Sequence, residues 1–197
     1  MAEGLDRRIP YKNIIMKCEK WESRFTCGLP EGYHFTLYRN GDENEWAKLE
    51  YETGDFESLG AAREYFMEKY GREQERLKDC CVFVKTESGE TAASCIAWYD
   101  NSSLMEGSLV ASLHWLVTAP SHQGKGIGMA LTAKVMKIFE SRGEYPVYLH
   151  TQPWSYKAVR LYLRCGFDFT EETFGEYVNQ NEEALKVPVL ASAVRRT

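Results

Sequence analysis

Residues 117–128 have the sequence VTAPSHQGKGIG, which is the most informative stretch of the chain. It follows residues 108–117, which have the pattern of a strand, and precedes residues 126–141, whose apolar side chains recur at helical spacing. Three glycines within five residues at the helix start let the backbone approach a ligand closely. Because the first amides of a helix lack partners and its dipole is positive there, the stretch predicts an anion-binding turn.

Two familiar phosphate-binding patterns do not fit this turn. A Walker P-loop needs a glycine five positions before Gly124, where this chain has Ala119, and a Ser or Thr where it has Gly126. A dinucleotide-binding fingerprint needs Gly-x-Gly-x-x-Gly, and Gly128 comes one residue too early for it. A glycine-rich turn that binds no ligand is the remaining alternative at this point.

The turn also resembles the acyl-CoA-binding motif of the GCN5-related N-acetyltransferases, Gln/Arg-x-x-Gly-x-Gly/Ala, which is here Gln123-x-x-Gly126-x-Gly128. The resemblance implies that acetyl-CoA is the cosubstrate and that six consecutive residues wrap its pyrophosphate: Gln123, Gly124, Lys125, Gly126, Ile127 and Gly128. It also implies that the preceding strand holds the pantetheine arm through backbone groups of Leu116, Val117 and Thr118.

A second motif lies downstream, Ser155-x-x-Ala158-x-x-Leu161-Tyr162-x-x-x-Gly166-Phe167. The positions of Ala158, Leu161, Tyr162 and Cys165 predict one buried face of a helix over residues 155–164, which Gly166 ends. The stretch is similar to the family signature Asn-x-x-Ala-x-x-Leu-Tyr-x-x-x-Gly-Phe, with Ser155 at the coenzyme-contacting Asn position. The resemblance implies that Tyr162 lies beside the coenzyme sulfur and protonates the departing thiolate, for which a phenol is an adequate acid.

Amine acetylation also requires that an ammonium group lose a proton before or during its attack on the thioester. His114 lies on the strand before the glycine turn, and in the similar arylalkylamine N-acetyltransferases a histidine at this spacing belongs to the proton relay. The alternatives are a histidine satisfied by core hydrogen bonds, a base at Glu106 or His150, or a chain of water molecules. None of the six cysteines lies in a nucleophile motif, so direct transfer is expected rather than an acyl-enzyme.

The order of predicted elements indicates an α/β fold with a mixed, mostly antiparallel central sheet and helices on both faces, as in GCN5-related N-acetyltransferases. The predicted strands cover residues 33–38, 81–84, 92–99, 108–117, 145–151 and 167–170. One predicted helix begins near residue 42. The other three cover residues 58–70, 126–141 and 155–164, and Gly71 ends the first of these three. We expect one acyl-CoA N-acyltransferase domain over residues 1–197, with the motifs at about 80–170 and acceptor-side elements in residues 1–80. Residues 1–30 and the tail stay unassigned.

Composition excludes several classes of protein. A net charge of −5 argues against nucleic-acid binding, which needs a basic face. No window approaches the length of apolar sequence that spans a bilayer, and the N-terminus has no signal-peptide core, so we expect a cytoplasmic protein without a membrane partner. The cysteines form no CxxC pair and the four histidines are scattered, so no metal site is expected. A homodimer is possible.

We expect a small-molecule or peptide amine as the acceptor, and a small-molecule amine, a peptide N-terminus and a lysine side chain all stay open. Residues 42–57 contain seven acidic residues and one lysine, interleaved with Trp46, Tyr51 and Phe56. This pattern fits a cationic, partly apolar acceptor such as an aryl or alkyl amine, but also a solvated acidic helix face over core aromatics. A non-catalytic acyl-CoA sensor and a partner-binding domain are the alternatives to an enzyme.

Overall fold

Seven strands form one mixed sheet in the computed structural model, which describes residues 6, 8–25, 27–101 and 108–196. The strands are β1 (Ile14–Cys18), β2 (Tyr33–Leu37), β3 (Cys81–Thr86), β4 (Thr91–Asn101), β5 (Leu109–Thr118), β6 (Val147–Thr151) and β7 (Asp168–Phe169). Their order is β2-β3-β4-β5-β6-β1-β7. The β2–β3, β3–β4, β1–β6 and β1–β7 pairs are antiparallel and the β5–β6 pair is parallel. The predicted mixed, mostly antiparallel α/β fold is therefore confirmed.

The helices include all four that the sequence predicts. They are α1 (Glu43–Thr53), α2 (Leu59–Tyr70), α3 (Gln74–Cys80), α4 (Ile127–Arg142), α5 (Tyr156–Arg164), α6 (Asn181–Ala184) and α7 (Pro188–Val194). The helix α2 ends at Tyr70, with Gly71 as its C-cap, as the sequence predicts, but the sequence does not predict α3. Gly71 has a right-handed φ of −61°, so the chain continues through one 3-10 turn into α3.

The chain divides into two compact units. The described residues of the first unit are 27–97 and 114–135, and the second unit comprises the described parts of 6–26, 98–113 and 136–197. The chain passes from one unit to the other within β4, β5 and α4. The assignment of all 197 residues to one functional domain stays a prediction.

In the first unit, α1 and α2 pack against each other through aromatic rings. Trp46 of α1 is fully buried, and its ring centroid lies 5.1 Å from that of Phe66 in α2. The helix α1 ends at Gly54, whose φ of 88° requires the left-handed conformation that glycine adopts freely. The helix α2 begins at Ser58, whose Oγ accepts a hydrogen bond from the Ala61 amide at 3.1 Å.

In the second unit, the N-terminal stretch that the sequence left unassigned forms β1, an interior strand next to the edge strand β7. Ile14, Ile15 and Met16 are fully buried, and β1 pairs with β6 on one side and β7 on the other. The side chain of Asn181 in α6 also binds the backbone of this strand. Its Oδ1 accepts a hydrogen bond from the Ile15 amide at 3.0 Å, and its Nδ2 donates one to the Ile15 carbonyl at 2.8 Å. A strand buried on both faces is continuously apolar and lacks the alternation that marks a half-buried strand.

Within the described ranges, no helix combines the length and the apolar run needed to cross a bilayer.

Candidate functional site

The glycine turn joins β5 to α4 in the first unit. After Thr118, one 3-10 turn over Pro120–His122 leads into the exposed residues 123–126. Gly124 and Gly126 have φ angles of 77° and 85°, a region that side chains with a Cβ rarely adopt. Among the described residues, no heavy atom lies within 4 Å of a Cβ placed on either glycine. The two glycines are therefore required by the backbone path, and the space in front of them is open.

Unpaired amides at the start of α4 face the same turn. The first hydrogen bond of the helix runs from the Ala130 amide to the Gly126 carbonyl at 3.2 Å. The amides of Ile127, Gly128 and Met129 come before it and therefore have no acceptor within the helix. These donors, together with the positive end of the helix dipole, suit an anion such as a pyrophosphate. The turn thus offers groups that suit an anion, and its role in binding the coenzyme stays a prediction.

Side chains around the turn hold it in place. The Gln123 side-chain amide donates to the Thr118 carbonyl at 3.1 Å, which closes the loop. Lys125 Nζ lies 3.0 Å from the Tyr33 hydroxyl, which in turn lies 2.9 Å from His122 Nδ1. This arrangement keeps the cationic end of Lys125 at an exposed turn, where it can approach a phosphate.

The strand before the turn has the residues predicted to hold the pantetheine arm. Val117 is buried and clusters with Leu49 of α1 and Ala119, whereas Leu116 and Thr118 are half-buried. The parallel pairing of β5 with β6 involves Ala111 and Ser112 only, although β5 continues to Thr118. The backbone of residues 116–118 therefore lies beyond the part of β5 that pairs with β6.

His114 is half-buried in β5 and hydrogen-bonded to an aromatic residue of α2. Its Nδ1 lies 2.8 Å from the hydroxyl of Tyr70, whose side chain is fully buried. The hydroxyl of Tyr70 at Nδ1 therefore fixes the orientation of the imidazole ring. The sequence did not identify Tyr70 as a partner, because helical spacing alone marks it as a core residue.

The two alternative bases are placed differently. Glu106 lies outside the described residues. His150 belongs to the second unit, where its Nε2 lies 2.9 Å from Asn13 Oδ1 and its ring stacks on Tyr177 with centroids 3.7 Å apart. His150 is thus part of a local polar and aromatic contact in that unit.

The second motif forms α5 in the second unit. Tyr162 is 6% exposed, and its ring centroid lies 5.9 Å from that of Phe167. Ser155 stands just before the helix, and its Oγ accepts from the Gln152 side chain at 3.1 Å. The predicted buried face was partly wrong: Val159, Tyr162 and Cys165 are buried, whereas Ala158 and Leu161 are half-buried. The buried face is rotated toward Val159 because α5 also packs against α7 of the tail, which the sequence left unassigned.

An aromatic cluster in the first unit surrounds the residue after His114. Trp115 has a φ of 49°, the one positive value among the described non-glycine residues. Its ring centroid lies 5.3 Å from Trp46, 5.6 Å from Phe56 and 5.2 Å from Tyr65. The side chains of Phe56, Tyr65 and Trp115 are half-buried, so the cluster presents ring surface beside the strand that bears His114. We call these four residues, Trp46, Phe56, Tyr65 and Trp115, the ring cluster.

A buried carboxyl group lies on the same face of α1 as the ring cluster. Glu50 is 1% exposed, and its Oε1 makes no hydrogen bond to any described residue. Burial raises the pKa of Glu50 well above its usual value near 4.5, and the charge of Asp55 adds to the rise. The sequence showed Glu50 only as one of seven acidic residues, because its burial cannot be recognised from composition.

The sequence predicts no metal site. Among the described residues, no group of three or more His, Cys, Asp or Glu side chains is arranged to hold a metal ion.

Comparison with known proteins identifies the family of this chain. The sequence model of the Acetyltransferase (GNAT) family matches residues 43–167, which is more than half of the chain. The chain therefore belongs to the GNAT family of acetyltransferases. The recognised family and the predicted fold class are both confirmed.

Individual relatives are distant. The chain is 29% identical over 100 residues to N-acetyltransferase family 8 member 3 of Mus musculus, covering 51% of this chain and 44% of that protein. It is 29% identical over 142 residues to an uncharacterized N-acetyltransferase of Methanocaldococcus jannaschii, covering 72% of this chain and 56% of that protein. The chain thus spans about half the length of these relatives. A GCN5-related N-acetyltransferase from Sphaerobacter thermophilus has the same fold, with a TM-score of 0.62 and 20% identity over 83% of this chain and 51% of that one.

Proposed function

We propose that this chain is an acetyl-CoA-dependent N-acetyltransferase that passes the acetyl group directly to an amine. The observation that carries the proposal is the open glycine turn at the start of α4, which has the family motif and unpaired amides. Membership of the acetyltransferase family supports the same conclusion. We propose that the whole chain acts as one acyl-CoA N-acyltransferase domain.

The coenzyme-binding residues follow from the turn and its flanking elements. The backbone from Gln123 to Gly128 would hold the pyrophosphate, with Lys125 close enough to add a positive charge. Backbone groups of residues 116–118 would pair with the pantetheine arm, since they lie beyond the β6 pairing. Ser155 would supply the contact made by Asn in the family signature.

The transfer itself requires two proton movements and one bond exchange. His114 would lie on the path by which the acceptor ammonium loses its proton, with its imidazole oriented by Tyr70. Acetyl-CoA supplies the thioester, whose C–S bond breaks as the new C–N bond forms. Tyr162 would donate a proton to the departing thiolate sulfur. Backbone amides of β5 would stabilise the negative charge on the carbonyl oxygen.

The buried cysteines favour direct transfer over an acyl-enzyme. Burial raises the pKa of Cys18 to about 11 and also raises those of Cys81 and Cys95. A thiol must be ionised to act as a nucleophile, so these three remain inert near neutral pH. The acceptor would be a small-molecule or peptide amine, without nucleic acid or membrane, and the cytoplasmic location and possible homodimer stay predictions.

The decisive experiment is a calorimetric titration of the protein with acetyl-CoA, with dephospho-coenzyme A and ATP as comparison ligands. We expect saturable binding of acetyl-CoA that is much tighter than binding of ATP. Gly126→Glu should abolish this binding, because it adds a side chain and a negative charge where the pyrophosphate lies. Gly143→Glu is the matched control, since Gly143 also has a positive φ and open space, but at the other end of α4.

Two results would refute this proposal in different ways. Absence of acetyl-CoA binding by the folded protein, or normal binding by Gly126→Glu, would show that the turn is not the coenzyme site. Tight acetyl-CoA binding with no transfer to any amine, peptide or lysine acceptor would favour the non-catalytic sensor.

A further inference from the structure

Tyr33 of β2 contacts two residues of the turn that joins β5 to α4. Its hydroxyl lies 3.0 Å from Lys125 Nζ and 2.9 Å from His122 Nδ1. Its ring meets the imidazole plane at 89° with centroids 5.6 Å apart, and Lys125 Nζ lies 5.7 Å from the centroid of the phenol ring. Tyr33 lies outside residues 43–167, which match the family model. These contacts are therefore an addition to the family motif.

The three side chains form one directed series of hydrogen bonds. An ammonium group can only donate, so the Tyr33 oxygen accepts a hydrogen bond from Lys125. When His122 is neutral, the single hydrogen of the phenol is then directed to Nδ1, and the ring carries its own hydrogen on Nε2. His122 is 6% exposed, and its Nε2 lies 3.3 Å from Oε1 of Glu90 in the turn between β3 and β4. The buried imidazole thus orients the hydroxyl that holds Lys125.

Lys125 keeps donors for a ligand in this arrangement. It is exposed and lies between Gly124 and Gly126, which have open space in front of them. An ammonium group has three N–H donors, so the contact with Tyr33 uses one and leaves two that can reach phosphate oxygens. A lysine that is already held loses less rotamer freedom when it binds an anion than an unrestrained lysine does.

We propose that Tyr33 and His122 are positioning residues that hold Lys125 for the diphosphate of acetyl-CoA. This inference rests on the proposed function and names further residues that its coenzyme site requires. The diphosphate is the part of the ligand concerned, because Lys125 belongs to the same turn as the unpaired amides at the start of α4. Lys125 contacts the ligand, whereas Tyr33 and His122 act through Lys125.

The test measures dissociation constants for acetyl-CoA by calorimetry. Lys125→Met removes the charge and should weaken binding by about 10- to 100-fold, the usual effect of losing a hydrogen bond to a charged group. Tyr33→Phe keeps the ring and removes the hydroxyl, and it should weaken binding by about 2- to 10-fold because Lys125 must then be ordered by the ligand. The double variant should bind as weakly as Lys125→Met alone, because Tyr33 acts only through Lys125.

Two variants of His122 separate its hydrogen bond from its packing. His122→Asn keeps a hydrogen-bond acceptor near the position of Nδ1 and should retain the affinity of the unchanged protein for acetyl-CoA. His122→Leu keeps an apolar side chain without an acceptor and should weaken binding to the same extent as Tyr33→Phe. Equal losses in the Asn and Leu variants would contradict a positioning role for His122.

Matched controls come from the same elements. Lys134→Met removes a charge from an exposed position on α4, where Nζ lies 5.9 Å from the ring centroid of Phe35 in β2. Tyr38→Phe removes a hydroxyl that donates to Glu43 Oε2 at 2.9 Å. Both variants should bind acetyl-CoA as the unchanged protein does. Dephospho-coenzyme A lacks the 3′-phosphate and keeps the diphosphate, so the fold losses in the Lys125 and Tyr33 variants should be the same with this ligand.

The outcomes distinguish this inference from the proposed function. If Tyr33→Phe leaves the affinity for acetyl-CoA unchanged, or weakens it equally with and without Lys125, the positioning role is wrong while the coenzyme site stands. If the losses disappear with dephospho-coenzyme A, Lys125 serves the 3′-phosphate and the assignment to the diphosphate is wrong. If the unchanged protein does not bind acetyl-CoA at all, the proposed function itself fails and this inference fails with it.

Discussion

Tyr162 is the proposed general acid, and this role can be tested separately from coenzyme binding. Tyr162→Phe removes the hydroxyl and keeps the ring that packs near Phe167. We expect kcat to fall by about 100- to 10,000-fold, the usual contribution of a general acid, with little change in acetyl-CoA affinity. Steady-state kinetics and calorimetry check this, with Tyr156→Phe on the same helix as control. An unchanged kcat would remove the acid role.

Gly166 shows how a single Cβ can be excluded by both conformation and contact. Its φ is 88°, and a Cβ placed on it would lie 2.7 Å from Cε2 of Phe25. Gly143 also has a positive φ, 66°, but a Cβ there would meet no described atom within 4 Å. Gly143→Ala should therefore cost only backbone strain, about 1 to 2 kcal/mol.

Gly166→Ala should cost about 1 to 3 kcal/mol more than Gly143→Ala, because it adds overpacking to the same backbone strain. Urea unfolding of the two variants measures the difference. Equal losses would mean that the Phe25 ring moves aside freely.

At the scale of elements, α6 and β1 are joined by one side chain. Asn181 is 7% exposed and hydrogen-bonds both backbone groups of Ile15 as well as the Thr170 carbonyl at 2.8 Å. Asn181→Ala should destabilise the protein by about 2 to 3 kcal/mol, because buried backbone groups lose their partners. Glu182→Ala, at an exposed position of the same helix, should have little effect on the unfolding midpoint. Similar losses in both variants would contradict this role of Asn181.

The elements also show how far the sequence could predict the fold. Strands and helices with clear periodicity, and the glycine turn between β5 and α4, were predicted within a few residues. The strand β1 was missed because its partners, β6 and β7, are more than one hundred residues away in the chain. The α3 helix was missed because sequence alone cannot show that Gly71 keeps a right-handed φ.

The candidate site could be predicted from the sequence where the proposed chemistry uses backbone groups. A glycine pattern reports directly on φ angles and open amides, so the turn at residues 123–128 could be recognised. Glu50 and Tyr70 could not, because their importance depends on burial and on partners in other elements. Helical spacing placed Tyr70 in the core but gave no indication of its contact with His114.

At the scale of the whole molecule, Glu50 couples stability to pH. Burial raises its pKa in the folded chain, whereas in the unfolded chain it ionises near its usual value of 4.5. The folded state therefore binds more protons than the unfolded state from about pH 4.5 up to the raised pKa. The stabilising contribution is complete below this interval and is lost as the pH rises through it.

Glu50→Gln should remove that dependence. We expect the unchanged protein to lose more unfolding free energy between pH 5 and pH 8 than the variant does, as measured by urea midpoints. Glu172 affects stability in the opposite sense. Hydrogen bonds from Lys17 and Tyr148 lower its pKa, so its contribution to the unfolding free energy is lost only at more acid pH. If the unfolding free energies of the unchanged protein and of Glu50→Gln change in parallel with pH, Glu50 ionises normally.

The perpendicular arrangement of Trp46 and Trp115 has a further use. Their ring planes meet at 85° with centroids 5.3 Å apart, so their electronic transitions are close enough to couple. Such coupled chromophores give a strong circular-dichroism couplet that depends on their mutual angle. Any rotation of one indole relative to the other would change that signal. The protein therefore contains an intrinsic optical reporter of the contact between α1 and β5, which needs no label.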